Sequence, residues 1–142
     1  MFDFAGQVVM VTGAAGNLGS AVARAFLEAG ARLCLLDVSE ERLLQRHPDL
    51  ASAPESHLLT AVEAGDLESM HAAVDEAVRR LGRVDVLVNT VGGYRAGAPL
   101  HETPVEDWDS MMNLNARTAF IASRAVVPHL LRQGSGKIIH IA

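Results

Sequence analysis

Three glycines at three-residue spacing, Gly13, Gly16 and Gly19, lie in the run Val11-Thr12-Gly13-Ala14-Ala15-Gly16-Asn17-Leu18-Gly19. An apolar run precedes them and a helical pattern follows, which gives each glycine a separate task. Gly13 allows a tight turn out of a strand. Gly16 lets an anionic group approach the backbone with no side chain in the way. Gly19 lets the helix pack closely on the sheet. The first amides of a helix have no internal partners and sit at the positive end of its dipole. Ala15, Asn17 and Leu18, with the glycines, therefore form the edge of a diphosphate-binding turn. Asp37 closes the next apolar run, roughly 20 residues further on, where an acid accepts hydrogen bonds from ribose hydroxyls. Together these residues are suited to holding a dinucleotide.

Asp37 also discriminates between dinucleotides, because a carboxylate repels an extra phosphate on the same ribose. No lysine or arginine occurs among residues 13–19, Val38 follows Asp37, and the nearest base, Arg42, is placed a helical turn away. NAD is expected in preference to NADP.

The elements that must position these residues alternate along the chain. Five apolar runs, Gln7–Val11, Arg32–Leu36, His57–Val62, Val84–Val88 and Lys137–Ile141, read as strands buried on both faces. Leu18, Ala21, Val22, Ala25, Phe26 and Ala29 repeat with helical spacing before Gly30, and Met70, Ala73, Val74, Ala77, Val78 and Leu81 do so before Gly82. A shorter helix starts at Ser39, with Glu40 and Glu41 in its first turn. A long one is predicted from Thr103 as N-cap, with Pro104 and Glu106 completing the signal, to about Leu131, with a kink or early end at Pro128. On its apolar stripe of Trp108, Met112, Ala119, Ala122 and Val126 falls Asn115, a polar amide that must find partners, either as a core amide or beside an active site. Strand–helix alternation predicts a doubly wound α/β sheet of the Rossmann kind, with five parallel strands in the order 3-2-1-4-5 and one domain over 1–142. The segments Pro48–Ser56 and Gly92–Glu102 are read as long loops.

These residues and others downstream resemble the short-chain dehydrogenase/reductase family over the whole chain, in the right order. Thr12-Gly13 to Gly19 is similar to its cofactor turn. Gly65-Asp66-Leu67 is similar to its adenine-contacting acid. Val84 to Gly92, with Asn89, Val91 and Gly92, is similar to its fourth strand and Asn-Asn-Ala-Gly motif. Asn113-Leu114-Asn115 to Phe120 resembles the helix with its structural and catalytic asparagine, and Gly136 to Ala142 its fifth strand. Two departures are visible. Gly16 supplies the middle glycine one place earlier than in many members, which have it where Asn17 stands here. Thr90 and Val91 stand where asparagine and alanine are usual, and a threonine can still hydrogen-bond nearby backbone.

The resemblance implies an NAD-dependent oxidoreductase that moves hydride between nicotinamide and a small carbonyl or alcohol. It places a serine directly after Ala142 and a Tyr-x-x-x-Lys pair beyond it. Tyr94 is not that tyrosine, since Ala98 stands where the lysine would be. Residues 1–142 are thus read as the cofactor-binding N-terminal part, ending at the fifth strand and inactive alone, with Asn115 the one member of the catalytic set within it. The family also implies a homo-oligomer through the 103–131 helix. Two other readings stay open: a non-catalytic nucleotide-binding or sensing module, and a methyltransferase using S-adenosylmethionine on a similar turn.

Composition narrows the classes further. The 142 residues are 49% hydrophobic and 20% charged, a globular balance, with a net charge of -5 and no basic stripe for nucleic acid. One cysteine, Cys34, within an apolar run, makes no internal disulfide. The six histidines show no ligand spacing, so no metal is assigned, and Arg95 and His101 are read as solvent-exposed loop residues. Absence of a signal-like start and of a bilayer-length apolar run gives a cytoplasmic protein with no membrane partner as the expectation. Residues 1–142 alone should be poorly soluble, because the run Ile138–Ala142 would form an apolar sheet edge. A monodisperse, cooperatively melting monomer in sedimentation and calorimetry would refute this.

Overall fold

The computed structural model describes residues 2–95 and 97–141; Ala142, counted above with the fifth strand, lies outside the described residues. The strands are β1 (Val8–Thr12), β2 (Arg32–Asp37), β3 (Leu58–Ala61), β4 (Val86–Asn89) and β5 (Lys137–His140). All pair in parallel in the order β3-β2-β1-β4-β5. The helices are α1 (Asn17–Glu28), α2 (Glu40–Arg46), α3 (Pro48–Ala51), α4 (Leu67–Leu81), α5 (Val105–Met112) and α6 (Thr118–Gln133).

Alternation along the strands splits the core into two layers. Val8 and Met10 of β1, with Cys34 and Leu36 of β2, face α4 and α6 through Met70, Val74, Ile121 and Ala125. Val9 and Val11, with Leu33 and Leu35, face the other way, toward Ala23 of α1, Leu43 of α2 and Leu50 of α3. β1, β4 and, from Leu33 on, β2 are buried on both faces and so read as nearly unbroken apolar runs. Thr12, Asp37 and Asn89 are the polar exceptions at their carboxyl ends. The outer β3 and β5 are only partly covered, contrary to the expectation for all five runs. Burial pushes the Cys34 thiol up to about 12, so it stays protonated and behaves as a small apolar side chain.

Several boundaries differ from the sequence reading. The segment after Pro48 is not all loop: Pro48 opens the short α3, fitting a residue whose missing N–H costs nothing at a helix start. Thr103 does not cap α5. Pro104 holds that position, and the Thr103 hydroxyl donates to the Pro99 carbonyl at 3.1 Å, closing a short 3-10 turn over Leu100–Glu102. The long helix does not end at Pro128; it runs to Gln133, with Ile121, Ala122, Ala125 and Val126 buried before the proline and Leu130 packed against the same core beyond it. It is interrupted earlier, by a π-helical turn over Asn113–Arg117. There the Asn115 amide donates to the Met111 carbonyl at 2.8 Å and the Thr118 hydroxyl to the Leu114 carbonyl at 2.7 Å, side-chain bonds that compete with the regular ladder. The apolar stripe is buried only beyond this turn, for Trp108 is 64% and Met112 43% exposed.

At the outer strand pair, the Leu33 amide donates to Nδ1 of His57 at 3.1 Å. Burial, then the Arg32 charge, holds His57 below the ordinary histidine value of 6.5. The folded state therefore favours the neutral ring. Its stabilising contribution is complete above 6.5 and is lost as pH falls from there to the lower folded value. Urea titrations across that window should show a drop in stability in the wild type that His57→Gln lacks.

The tightest helix–strand approach is at Gly19. A Cβ there would meet the Gly13 carbonyl and come within 2.8 Å of the Thr90 hydroxyl, whereas one on Gly16 would have only the Gly13 oxygen near, at 3.2 Å. Gly19→Ala should lose stability at or beyond the roughly 1–3 kcal/mol typical of overpacking, and Gly16→Ala clearly less. Equal melting temperatures for the two variants would contradict the close approach.

Candidate dinucleotide site

β1 leaves the sheet through Gly13, whose φ of +67° belongs to the left-handed region that glycine tolerates. Gly16 follows as the N-cap of α1, in extended conformation and without a side-chain capping bond. The Gly16 amide donates back to the Gly13 carbonyl at 3.0 Å, and Ser20 is the first residue of α1 to bond its preceding turn. The amides of Asn17, Leu18 and Gly19 are thus left without helical partners.

Beside this turn, over the carboxyl ends of β1, β2 and β4, lies a cavity of about 340 Å³. Gly13, Gly16, Asp37, Val91 and Gly92 all line it, five of the residues singled out from sequence. A dinucleotide fits on two counts: the turn presents glycines and free amides, and a carboxylate stands across from them. Asp37 is 8% exposed, and its Oδ2 accepts from the Ala15 amide at 3.0 Å. Ala15 therefore spends its N–H on Asp37 rather than on the cavity, a different use from the one read in sequence.

The remaining candidates stand behind the cavity wall. Leu18 is half exposed on α1, and the Asn17 side chain accepts from Arg46 at 3.4 Å. Asp66 caps α4, its carboxylate accepting from the Ser69 amide at 2.7 Å, and Leu67 packs against the core. The lining at this end comes instead from Val62, Glu63 and Ala64. Asn89 is buried; its oxygen accepts from the Thr12 hydroxyl at 3.1 Å and its amide meets His140 Nδ1 at 2.9 Å. Thr90 bonds the Thr12 carbonyl at 2.7 Å, so the substituted threonine braces the same turn.

Asn115 is exposed, not part of a buried stripe, because the π-helical turn carries it away from the core. It is nonetheless fully engaged. Its oxygen accepts from the Gly93 amide and its nitrogen donates to the Gly93 carbonyl, each at 3.0 Å, which fastens the loop after β4 to the long helix. Arg95 pairs with Asp107 at 2.8 Å and His101 is 80% exposed beside Glu102, both at the surface as expected.

Sequence reasoning missed Arg42. Ser39 caps α2 through a bond from the Arg42 amide, and that first turn folds the arginine back over the end of β2. Its guanidinium lies 3.7 Å from Asp37 Oδ1 and lines the cavity. A base one helical turn along the chain is thus adjacent in space, a proximity that i, i+5 spacing across a strand–helix corner did not reveal. Among the described residues, no helix is long and apolar enough to cross a membrane.

Comparison with known proteins agrees with this geometry. The family model described as short chain dehydrogenase matches residues 7–142. The chain is 36% identical to a D-threitol dehydrogenase of Mycolicibacterium smegmatis, over 99% of this chain and 55% of that protein. It is 37% identical to a 2-(R)-hydroxypropyl-CoM dehydrogenase of Xanthobacter autotrophicus, over 96% of this chain and 56% of that protein. Among solved structures, an NAD+-bound xylitol dehydrogenase matches with a TM-score of 0.88 and 31% identity, over 96% of this chain and 53% of that one. A gluconate 5-dehydrogenase from Burkholderia cenocepacia, in complex with NADP and tartrate, matches with a TM-score of 0.88 and 30% identity, over 99% and 55%. The chain spans about half the length of these relatives. A glycine turn, a facing acid, a five-stranded parallel sheet and a profile match over nearly every residue converge: the chain belongs to the short-chain dehydrogenase family.

Proposed function

We propose that the protein is an NAD-dependent oxidoreductase acting on a small carbonyl or alcohol, and that residues 1–142 form its dinucleotide-binding part. The observation that carries this reading is that Gly13, Gly16 and Asp37 line one cavity although they come from two separate strand ends. The free amides of Asn17, Leu18 and Gly19, with the dipole of α1, hold the diphosphate. Asp37 accepts from the ribose hydroxyls. Asp66 and Leu67 support the adenine end from behind, by fixing the start of α4 under Val62, Glu63 and Ala64. Asn89 holds Thr12, while Val91 and Gly92 edge the nicotinamide end. When bound, the nicotinamide exchanges hydride with the substrate carbon.

Asn115 acts here through Gly93, positioning the loop that bounds the reacting end. A serine and a Tyr-x-x-x-Lys pair beyond Ala142 would supply substrate orientation and proton transfer. The preference is for NAD over NADP, since Asp37 lines the cavity and the turn itself carries no base. Arg42 tempers that preference by offsetting part of the Asp37 charge. The exposed Val105, Trp108 and Met112 of α5 favour a homo-oligomer through the long helix.

Isothermal titration of the complete natural protein with NAD and NADP tests the reading. Asp37→Ala should weaken NAD by roughly tenfold to a hundredfold, the loss of about 1.5–3 kcal/mol of charged hydrogen bonding, and should leave NADP affinity unchanged or improved. Unchanged NAD affinity would remove Asp37 from the ribose.

A further inference from the structure

His47 stands at the corner between α2 and α3 and is only 9% exposed. Its backbone is fixed from both sides. Its amide donates to the Leu43 carbonyl at 2.9 Å, and its carbonyl accepts from Leu50 and Ala51, each at 3.2 Å. From that anchored corner the ring reaches the glycine turn, where Nε2 meets the Ala14 carbonyl at 2.9 Å. A carbonyl only accepts, so the ring holds a proton on Nε2 in this contact. Ala14 is fully buried, and among the described residues no other side chain is bonded to its oxygen. Without His47 that carbonyl faces the interior unsatisfied.

The carbonyl of Ala14 and the amide of Ala15 belong to one peptide unit, which is planar and trans. His47 grips its oxygen end, and Asp37 Oδ2 grips its N–H end at 3.0 Å. A single rigid plate therefore joins a buried histidine to the acid that faces the cavity. Rotating the plate to rescue a deserted carbonyl would withdraw the Ala15 amide from Asp37. The carboxylate would then be left to Arg42, which lies 3.7 Å from its other oxygen. Gly13 and Gly16 flank the plate, so its rotation would also distort the turn they form.

We infer that His47 is a positioning residue for dinucleotide binding, fixing the 14–15 peptide and through it the Asp37 carboxylate and the glycine turn. The inference rests on the dinucleotide reading above. It assigns to a side chain outside the cavity a share in cofactor affinity and none in hydride transfer.

His47→Asn and His47→Gln in the complete natural protein separate this role from simple support of the fold. The glutamine amide reaches about as far as Nε2, while the asparagine amide falls short. Dissociation constants for NAD and ADP-ribose are measured calorimetrically at a temperature where circular dichroism shows each variant folded. His47→Asn should weaken both ligands about tenfold, as the loss of a buried hydrogen bond predicts. His47→Gln should recover most of that loss, and kcat at saturating NAD should be unchanged in both. Wild-type affinity in His47→Asn, or a fall in kcat without a change in affinity, would overturn the inference whatever the melting temperature. Should His47→Asn not fold, nitrogen-15 spectra of the wild type decide, since Nε2 must carry a proton to donate to the Ala14 carbonyl; a ring protonated on Nδ1 alone would overturn the assignment. Failure of the wild type to bind either ligand would overturn the dinucleotide reading itself, and this inference with it.

Discussion

The closeness with which α1 can approach the end of β1 governs the whole cavity. β1 is the central strand, paired on one side with β2 and on the other with β4, so its end cannot move without moving the sheet. The chain must therefore leave it through a sharp left-handed residue, Gly13, and then start a helix almost on top of the carbonyl it has just passed. Only glycine at position 19 leaves room for this. The result is a helix start with unpartnered amides directly after the turn, in a place where the neighbouring strand delivers Asp37. Thr12, Asn89 and Thr90 then tie the bottom of the turn to β4, so that its position is set from beneath as well as from the side.

Much of the fold was legible because its inner strands, β1, β2 and β4, are buried on both faces almost throughout. An unbroken apolar run such as Leu33 to Leu36 has few other uses, and the helices between the runs announce themselves by spacing and by terminal glycines at 30 and 82. What was hidden shares a cause. The short α3, the π-helical turn at Asn113–Arg117 and the uncapped start of α5 depend on single side-chain bonds or on packing elsewhere, and leave no periodic trace in composition.

The candidate site divides in the same way. Gly13, Gly16, Asp37, Val91 and Gly92, singled out by type and chain position, all line the cavity. Arg42 and His47 were not singled out, because Arg42 is folded back on Asp37 by the strand–helix corner and His47 acts on Ala14, brought to it by tertiary folding. Asp66 shows the converse: its type and place fit a ligand contact, yet its carboxylate is engaged in capping α4. A polar residue at a helix start always has that local use open to it.

The π-helical turn gives the long helix a further property. One extra residue in a turn rotates everything beyond it by about 100° relative to an uninterrupted helix. The two halves thus address different surroundings although the backbone is continuous: α6 delivers Ile121, Ala122, Ala125 and Val126 to the sheet, while α5 presents Val105, Trp108 and Met112 outward. Residues on the outward half are released from the packing demands that bind the inner half, so they can diversify to suit whatever meets them while the sheet beneath stays unaltered.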